Sequence, residues 1–394
     1  MRTDDFSAAS NGVLKRSPRN YHYFLPKLLP PELEFSRLDT IKILSDASQA
    51  IGNLAGVGYT VPNPDFLVIP YTRLEAVASS RIEGTQASLS ELFFFEADQT
   101  EQRPTLDVLE VSNYLAALDY GIERLKTLPI SARFIRELHE RLMSGARGGT
   151  PDKTPGEIRR SQNWIGGSGV SLNHATYVPP HPDELPELLS NWEKFVHQTD
   201  SLPPLIRCAV MHYQFEAIHP FLDGNGRVGR LLISLFLIEK GILPQPLLYL
   251  SAYFESNRSQ YYERLMAVSQ YGQWVEWIEF FLNAILVQAT HAKESAKRIV
   301  DERERYRLVL QENRQTRSMV GIVDILFTHP YFTTKKVSEL LTCAHNTAQK
   351  SIDYLIELGI VEEITGQKRN RVYVAKQLLH LLAANEPLYR PNEK

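Results

Sequence analysis

The densest run of chemically capable side chains is residues 219–230, His219-Pro220-Phe221-Leu222-Asp223-Gly224-Asn225-Gly226-Arg227-Val228-Gly229-Arg230. Gly224 and Gly226 let the backbone turn tightly and expose N–H groups. A helix starting near Gly226 adds the positive end of its dipole, and together these make an anion site suited to phosphate. Arg227 and Arg230 stand three apart at that helix start, so both can turn toward one anion with forked hydrogen bonds. Asp223, just before the glycines, is placed to hold a magnesium ion that bridges phosphates. His219, whose ordinary pKa lies near working pH, is placed to take a proton from an attacking hydroxyl. Singly, these residues have bland readings: a histidine before proline is commonly structural, and Asp-Gly-Asn-Gly is commonly a turn. Their density at one loop-to-helix junction argues for a phosphate-transfer site instead. Residues 224–229 also fit the G-x-G-x-x-G spacing, but a dinucleotide fingerprint follows a strand, whereas residues 206–217 read as a helix.

The elements that must hold this loop read as mainly helical. A chain of 394 residues suggests two or three domains. Residues 1–20 are polar and read as a disordered start. Residues 21–105 read as an N-terminal helical region, with apolar residues at three-and-four spacing (Ile41, Leu44, Leu67, Leu74, Val77). Residues 106–272 form the middle, catalytic domain, with helices over 106–125, 132–142, 182–196, 204–217 and 226–240. Within it, Trp164 and Ile165, then glycines around Gly167 and Ser168, then Tyr177 and Val178, read as one small hairpin flap. A long linking helix, 273–312, with Trp277, Phe281 and Ile285 on its apolar side, runs through a charged stretch at 301–304 that reads as a spacer. In 313–394, helices at 318–327, 334–341 and 345–358 and a ribbon around 366–370 give the order of a winged helix-turn-helix. Its His345, Asn346, Thr347, Gln349 and Lys350 face outward for a DNA groove, with Lys368, Arg369 and Arg371 for phosphates. Glu357, Glu362 and Glu363 dilute that basic surface.

Composition narrows the classes. Hydrophobic residues at 43% and charged residues at 23% exclude a wholly disordered or collagen-like chain. A formal net charge of -3 gives no global attraction to nucleic acid or anionic lipid, so any such binding is local. Cys208 and Cys343 are the only cysteines, which points to no disulfide framework or zinc site and fits a reducing cytoplasm. The start lacks the apolar core of a secretory signal. The longest nearly apolar run, 231–238, is far short of the ~20 residues that span a bilayer, so no membrane partner is expected.

The run from His219 to Arg230 resembles the full signature of Fic-domain proteins, His-x-Phe-x-(Asp or Glu)-Gly-Asn-Gly-Arg-x-x-Arg, at every fixed position. The resemblance implies transfer of AMP from ATP, with Mg2+, to Ser, Thr or Tyr of a target protein. By it His219 is the base and Asp223 the metal ligand. Gly224, Asn225, Gly226, Arg227, Val228, Gly229 and Arg230 then bind the nucleotide, the two arginines clamping its outer phosphates. Asn257 and Tyr262 are its candidates on the nucleoside side. Residues 79–84, Ser79-Ser80-Arg81-Ile82-Glu83-Gly84, resemble the family's inhibitory motif, which implies a resting brake in which Glu83 pairs with Arg230 and Ser79 belongs to the same helix. The hairpin is similar to the family's flap and implies target docking at Ile165 and Tyr177 by added-strand hydrogen bonding. A homodimer is also implied. The same site would serve removal of AMP from a modified protein, with Glu83 positioning a water. A DNA-binding, ATP-sensing regulator without transfer chemistry is a further alternative, though it would not need His219.

Overall fold

The computed structural model describes residues 1–382 other than 2, 34–36, 62, 98–103, 148–152, 167–168 and 313–316. Gly167 and Ser168 of the expected flap turn lie outside the described residues. The chain opens with strands β1 (Gly12–Arg16) and β2 (His22–Pro26), paired antiparallel with Leu14 opposite Phe24. This corrects the expectation of disorder over 1–20 and of a purely helical 21–105. The reason is long-range: Phe24 is fully buried against the rings of Phe6 and Tyr177, and its N–H donates to the Val178 carbonyl at 2.9 Å. The pairing of β1 with β2 is local, but the contacts that bury it lie some 150 residues away, at Tyr177 and Val178, and leave no local signal.

Helices α1 (Leu38–Thr60), α2 (Asp65–Ile82) and α3 (Leu89–Ala97) follow. Next come α4 (Leu106–Leu125), entered through the Thr105 hydroxyl accepting from the Val108 N–H at 3.2 Å, and α5 (Ala132–Leu142), capped likewise by Ser131. After an irregular stretch come α6 (Leu185–His197), α7 (Pro204–Ile218), α8 (Asn225–Glu239), α9 (Ser251–Ser256), α10 (Arg258–Tyr271) and the 39-residue α11 (Trp274–Glu312). Helices α7 and α8 pack on each other at the centre. Both are buried nearly all round, as helices sheathed by others are, and the apolar run 231–238 lies in α8. On α8 pack α4 and α5, and α4 comes so close at Gly121 that a Cβ there would meet Leu235 at 2.8 Å. On α7 packs α11, along which α1 lies, while α2 packs on α4, α8 and α9. The two helices that flank the polar loop are therefore the best-held elements of the fold.

At the C-terminal end are α12 (Arg317–Thr328), β3 (Tyr331–Thr333), α13 (Thr334–Leu340), α14 (His345–Glu357), β4 (Glu362–Glu363), β5 (Val372–Val374) and α15 (Lys376–Leu382). The strands form one antiparallel sheet in the order β3-β5-β4, with Val374 opposite both Tyr331 and Glu362. The charged stretch at 301–304 lies inside α11, as a spacer within the linking helix expected over 273–312; α11 is about 58 Å long at 1.5 Å per residue, and Arg303 pairs with Asp324 of α12 at 2.7 Å. Tyr331 meets Phe94 of α3 edge-on at 6.2 Å, which ties this unit to the N-terminal region. No described helix is long and apolar enough to cross a membrane.

The strap formed by β1 and β2 is a structural part of the fold. Phe24→Ala should lower the free energy of unfolding by about 3–5 kcal/mol, as for other buried phenylalanines. A denaturant midpoint unchanged from the wild type would return residues 12–26 to a loosely attached tail.

Candidate active site

The polar loop spans the end of α7 and the start of α8. Its first residue, His219, ends α7 in a left-handed backbone conformation (φ 51, ψ 62), which a non-glycine residue adopts only when its surroundings hold it there. The holders come from the segment before the flap. Arg159 donates from its backbone N–H to the Pro220 carbonyl and from Nε to the His219 carbonyl, both at 2.9 Å. Asn163 Nδ2 donates to the Phe221 carbonyl at 2.7 Å. From α5, His139 stacks on Phe221 at 3.9 Å and bonds the Asp223 carbonyl through Nε2 at 3.0 Å, while its Nδ1 accepts from the Gly156 N–H at 2.8 Å. The His219 ring has Nδ1 3.3 Å from the Glu216 carbonyl, so Nδ1 carries the proton and Nε2 is the free basic nitrogen. Burial and, next, the charge of Arg159 push its pKa down to about 4, which leaves the ring neutral at pH 7.

Gly224, with φ 74, is the N-cap of α8, and the N–H groups of Asn225, Gly226 and Arg227 have no acceptor within the helix. Asn225 is buried and spends its side chain on the loop itself: Oδ1 accepts from the Phe221 N–H and Nδ2 donates to the Phe221 carbonyl, both at 2.8 Å. Its contribution to an anion is thus its backbone. Close packing extends along α8, since a Cβ at Gly229 would run into Oε1 of Glu216, and Val228 is fully buried. That Glu216 oxygen is buried without a hydrogen-bond partner, and burial, against the pull of Arg230, pushes the carboxyl up to about 7.

Arg230, one turn into α8, has a side chain only 1% exposed. Its Nε donates to Ser79 Oγ and its Nη2 to the Ser79 carbonyl, both at 2.9 Å, and Nη2 also reaches Glu83 Oε1 at 2.6 Å. Glu83 is the residue that ends α2, and Gly84 after it takes φ 97. A Cβ at Gly226 would run into Glu83 Oε1 and lie 2.9 Å from Arg230 Nη1. The carboxylate of Glu83 therefore lies over the anion cradle itself. Burial opposes the charge on Glu83, but Arg230 outweighs it and holds the carboxyl below the usual range. About two turns further back on α2, Glu75 accepts from the Tyr114 hydroxyl at 3.0 Å and the Ser251 N–H at 2.9 Å. Glu75, Ser79 and Glu83 form one stripe at four-residue spacing, each with a partner across the interface.

The two arginines do not face one anion as the spacing suggests. Arg227 Nη1 lies 3.4 Å from Glu110 of α4, and Glu110 also accepts from Thr85 and from Arg147, each at 3.0 Å. Arg227 is committed to that buried cluster because Glu110, 117 residues earlier, supplies a charge that local reading cannot see. Asp223 keeps one carboxylate oxygen on the Gly224 N–H at 2.6 Å and is 45% exposed. Among the described residues no three His, Cys, Asp or Glu side chains form a group that could hold a metal ion on their own. A single half-exposed carboxylate beside a phosphate cradle fits magnesium, which retains waters and takes further ligands from substrate phosphates. On the opposite side, Tyr262 lies close enough to Glu83 and Arg230 for their charges to act on its hydroxyl, whereas Asn257 donates its amide to the Tyr253 carbonyl at 2.9 Å.

The flap is reduced to one antiparallel bridge, Ile165 to Tyr177, with a 3-10 turn at Leu172–His174. Ile165 is 40% and Trp164 44% exposed, but Tyr177 is 4% exposed and donates its hydroxyl to the Ala217 carbonyl at 2.9 Å. This corrects Tyr177 as a docking side chain: its ring belongs to the wall behind α7, because Phe24 and the β-strap cover that face. Sequence reading missed Glu110, His139, Arg159, Asn163 and Glu216. Only Glu216, one helical turn before His219, lay near enough to the loop to be suspected.

Comparison with known proteins agrees with this geometry. Residues 41–123 match the model described as Fic/DOC family N-terminal, and residues 129–237 match the Fic/DOC family model. A protein adenylyltransferase Fic of Drosophila grimshawi is 34% identical over 148 residues, which cover 37% of this chain and 27% of that protein. Its counterpart from Drosophila mojavensis is 33% identical over 148 residues, covering 37% and 26%. The chain thus spans about a quarter of the length of the curated relatives it matches. The crystal structure of a Fic family protein from Desulfovibrio desulfuricans G20 superposes with a TM-score of 0.54 at 19% identity, covering 88% of this chain and 98% of that one, a likeness of fold. With both family regions present in order and His219 to Arg230 at the junction of α7 and α8, residues 41–123 and 129–237 identify the chain as a Fic-domain protein of the Fic/DOC family.

Proposed function

We propose that the protein transfers AMP from ATP to a Ser, Thr or Tyr hydroxyl of target proteins and of itself, and that Glu83 holds it at rest. The observation that carries this reading is the carboxylate of Glu83 lying over Gly226 and bonded to Arg230 at 2.6 Å, in the place a phosphate would take. In the active state Arg230 binds the outermost phosphate, and the N–H groups of Asn225, Gly226 and Arg227 cradle the inner ones. His219 Nε2 accepts the target hydroxyl's proton as that oxygen bonds to the α-phosphorus. The bond from the α-phosphorus to the oxygen bridging to the β-phosphate breaks, and pyrophosphate leaves. Catalysis is then positioning and charge stabilisation. A magnesium ion held by Asp223 would neutralise phosphate charge.

A target segment docks along the flap as an added strand. Ile165 spends its N–H and carbonyl on Tyr177, so the free edge is that of Trp164 and Gly166, with the Ile165 and Trp164 side chains outward.

A nucleic-acid partner is favoured by one further observation. A groove of about 720 Å³ is lined by Lys335 and Lys336 of α13, His345 and Gln349 of α14, and Lys368, Arg369 and Arg371 between β4 and β5. Among the described residues Lys336, Lys368, Arg369 and Arg371 have no carboxylate within 4.0 Å. This agrees with a winged helix-turn-helix presenting α14 and the ribbon to duplex DNA, with phosphates as the first contact.

Incubation with α-labelled ATP and magnesium tests the first reading: label on the protein should rise at least tenfold in Glu83→Gly and vanish in the Glu83→Gly, His219→Ala double variant. Label in neither, with AMP released from a modified protein instead, would replace transfer by the reverse reaction. For the second, the log–log salt slope of 20-base-pair DNA binding should fall by about 0.9 per cation when Lys368, Arg369 and Arg371 are changed to Gln. An unchanged slope would remove the groove from the account.

A further inference from the structure

Arg159 is among the largest fully enclosed side chains in the molecule, 2% exposed, yet no carboxylate lies within 4.0 Å of it among the described residues. A buried guanidinium ordinarily meets an acid. Here its donors go to backbone carbonyls alone: Nε to His219 at 2.9 Å, Nη2 to Pro180 at 2.6 Å and Ile218 at 3.4 Å, and Nη1 to Ser161 at 3.3 Å. Two of these four acceptors, Ile218 and His219, are the last residue of α7 and its left-handed C-cap. A hydrocarbon of the same size would leave these carbonyls without donors, but neutral donors would satisfy a carbonyl without a buried charge, so the charge itself calls for a use.

Its neighbour in position to feel it is the imidazole of His219. The ionisable groups acting on that ring are Arg159 from the segment before the flap, Glu83 from α2 and Asp223 from its own loop. Glu216 of α7 faces it with its backbone carbonyl. Arg159 disfavours a proton on the ring, and the two carboxylates favour one. Tyr177, whose hydroxyl acts on Arg159, is kept a neutral phenol by its burial and leaves that charge uncancelled. If Glu83 withdraws, one of the proton-favouring groups goes with it, so the influence of Arg159 is then less opposed.

We propose that Arg159 is a positioning residue for the transfer reaction: it fixes His219 in its left-handed turn and, through its uncompensated charge, sets the pH range over which that imidazole accepts a proton. The two roles separate by chemistry. Lysine keeps the charge and loses the fork, whereas glutamine keeps an amide donor and loses the charge.

The inference rests on the transfer reading, and the test keeps the two apart. In the Glu83→Gly background, which has no brake, initial rates of self-labelling are measured from pH 8 to pH 5 at saturating ATP and magnesium, each variant divided by its parent. For Arg159→Gln the ratio should fall about twofold between pH 8 and pH 5, as expected for a base whose pKa rises by one unit from about 4. For Arg159→Lys the ratio should be lowered evenly, with no dependence on pH. A constant ratio in Arg159→Gln, or a pH-dependent one in Arg159→Lys, would show a merely structural arginine and overturn the proposal. If Arg159→Gln fails to fold, the Arg159→Lys profile still decides. If the parent itself takes no label, the transfer reading has failed. The titration of the His219 ring, followed by carbon-13 NMR and assigned with His219→Ala, then judges Arg159 alone: its midpoint should rise in Arg159→Gln, and an unmoved midpoint rejects the inference.

Discussion

One guanidinium organises this molecule. Arg230 is nearly inaccessible, and its Nε and Nη2 are fully spoken for by Ser79 and Glu83. A buried arginine requires an anion or a set of oxygens around it, and here the Glu83 carboxylate lies against Gly226 to supply it. The position of α2, which supplies Ser79 and Glu83, and the glycine at 226, where a Cβ would meet both Glu83 and Arg230, belong to the placing of that group. The arrangement sets two carboxyls beside the same charge with opposite outcomes: Glu83, bonded to Arg230, lies below the usual range, and Glu216, unbonded and buried, is pushed up to about 7.

A second layer holds the loop itself. His139, Arg159 and Asn163 come from two separate stretches and bind the carbonyls of His219, Pro220, Phe221 and Asp223 in turn, so the backbone is fastened along its length from outside. Loops are usually the mobile parts of a protein because their polar backbone needs water. This one has its carbonyls satisfied by buried side chains, which is the physical condition for a rigid catalytic geometry.

What could be read in the sequence was what is local. The run from His219 to Arg230 carries its own turn chemistry, helix start and functional groups within twelve positions, and the stripe through Ser79 and Glu83 is a helical repeat. The helices over 106–125, 132–142 and 204–217 showed in the sequence, and the structure places them at Leu106–Leu125, Ala132–Leu142 and Pro204–Ile218. What stayed hidden was what depends on distant partners: the strap β1–β2, held by Val178 and Tyr177; the turning of Arg227 to Glu110; the inward face of Tyr177. A buried arginine such as Arg159 is indistinguishable in sequence from a solvated one, because burial is a property of the assembled fold.

The tether that joins Glu83 to the fold has one more consequence. A carboxylate fixed to the end of α2 is present at its own site at an effective concentration set by geometry, of millimolar order or above for short connections, and it never dissociates into bulk solution. Any phosphate that takes its place must outcompete that standing local supply. On the proposed reading, the affinity this site would display for a free anion understates that of the cradle by the occupancy of the tether. Loosening α2, with no change to a single atom of the cradle, would read out as tighter binding.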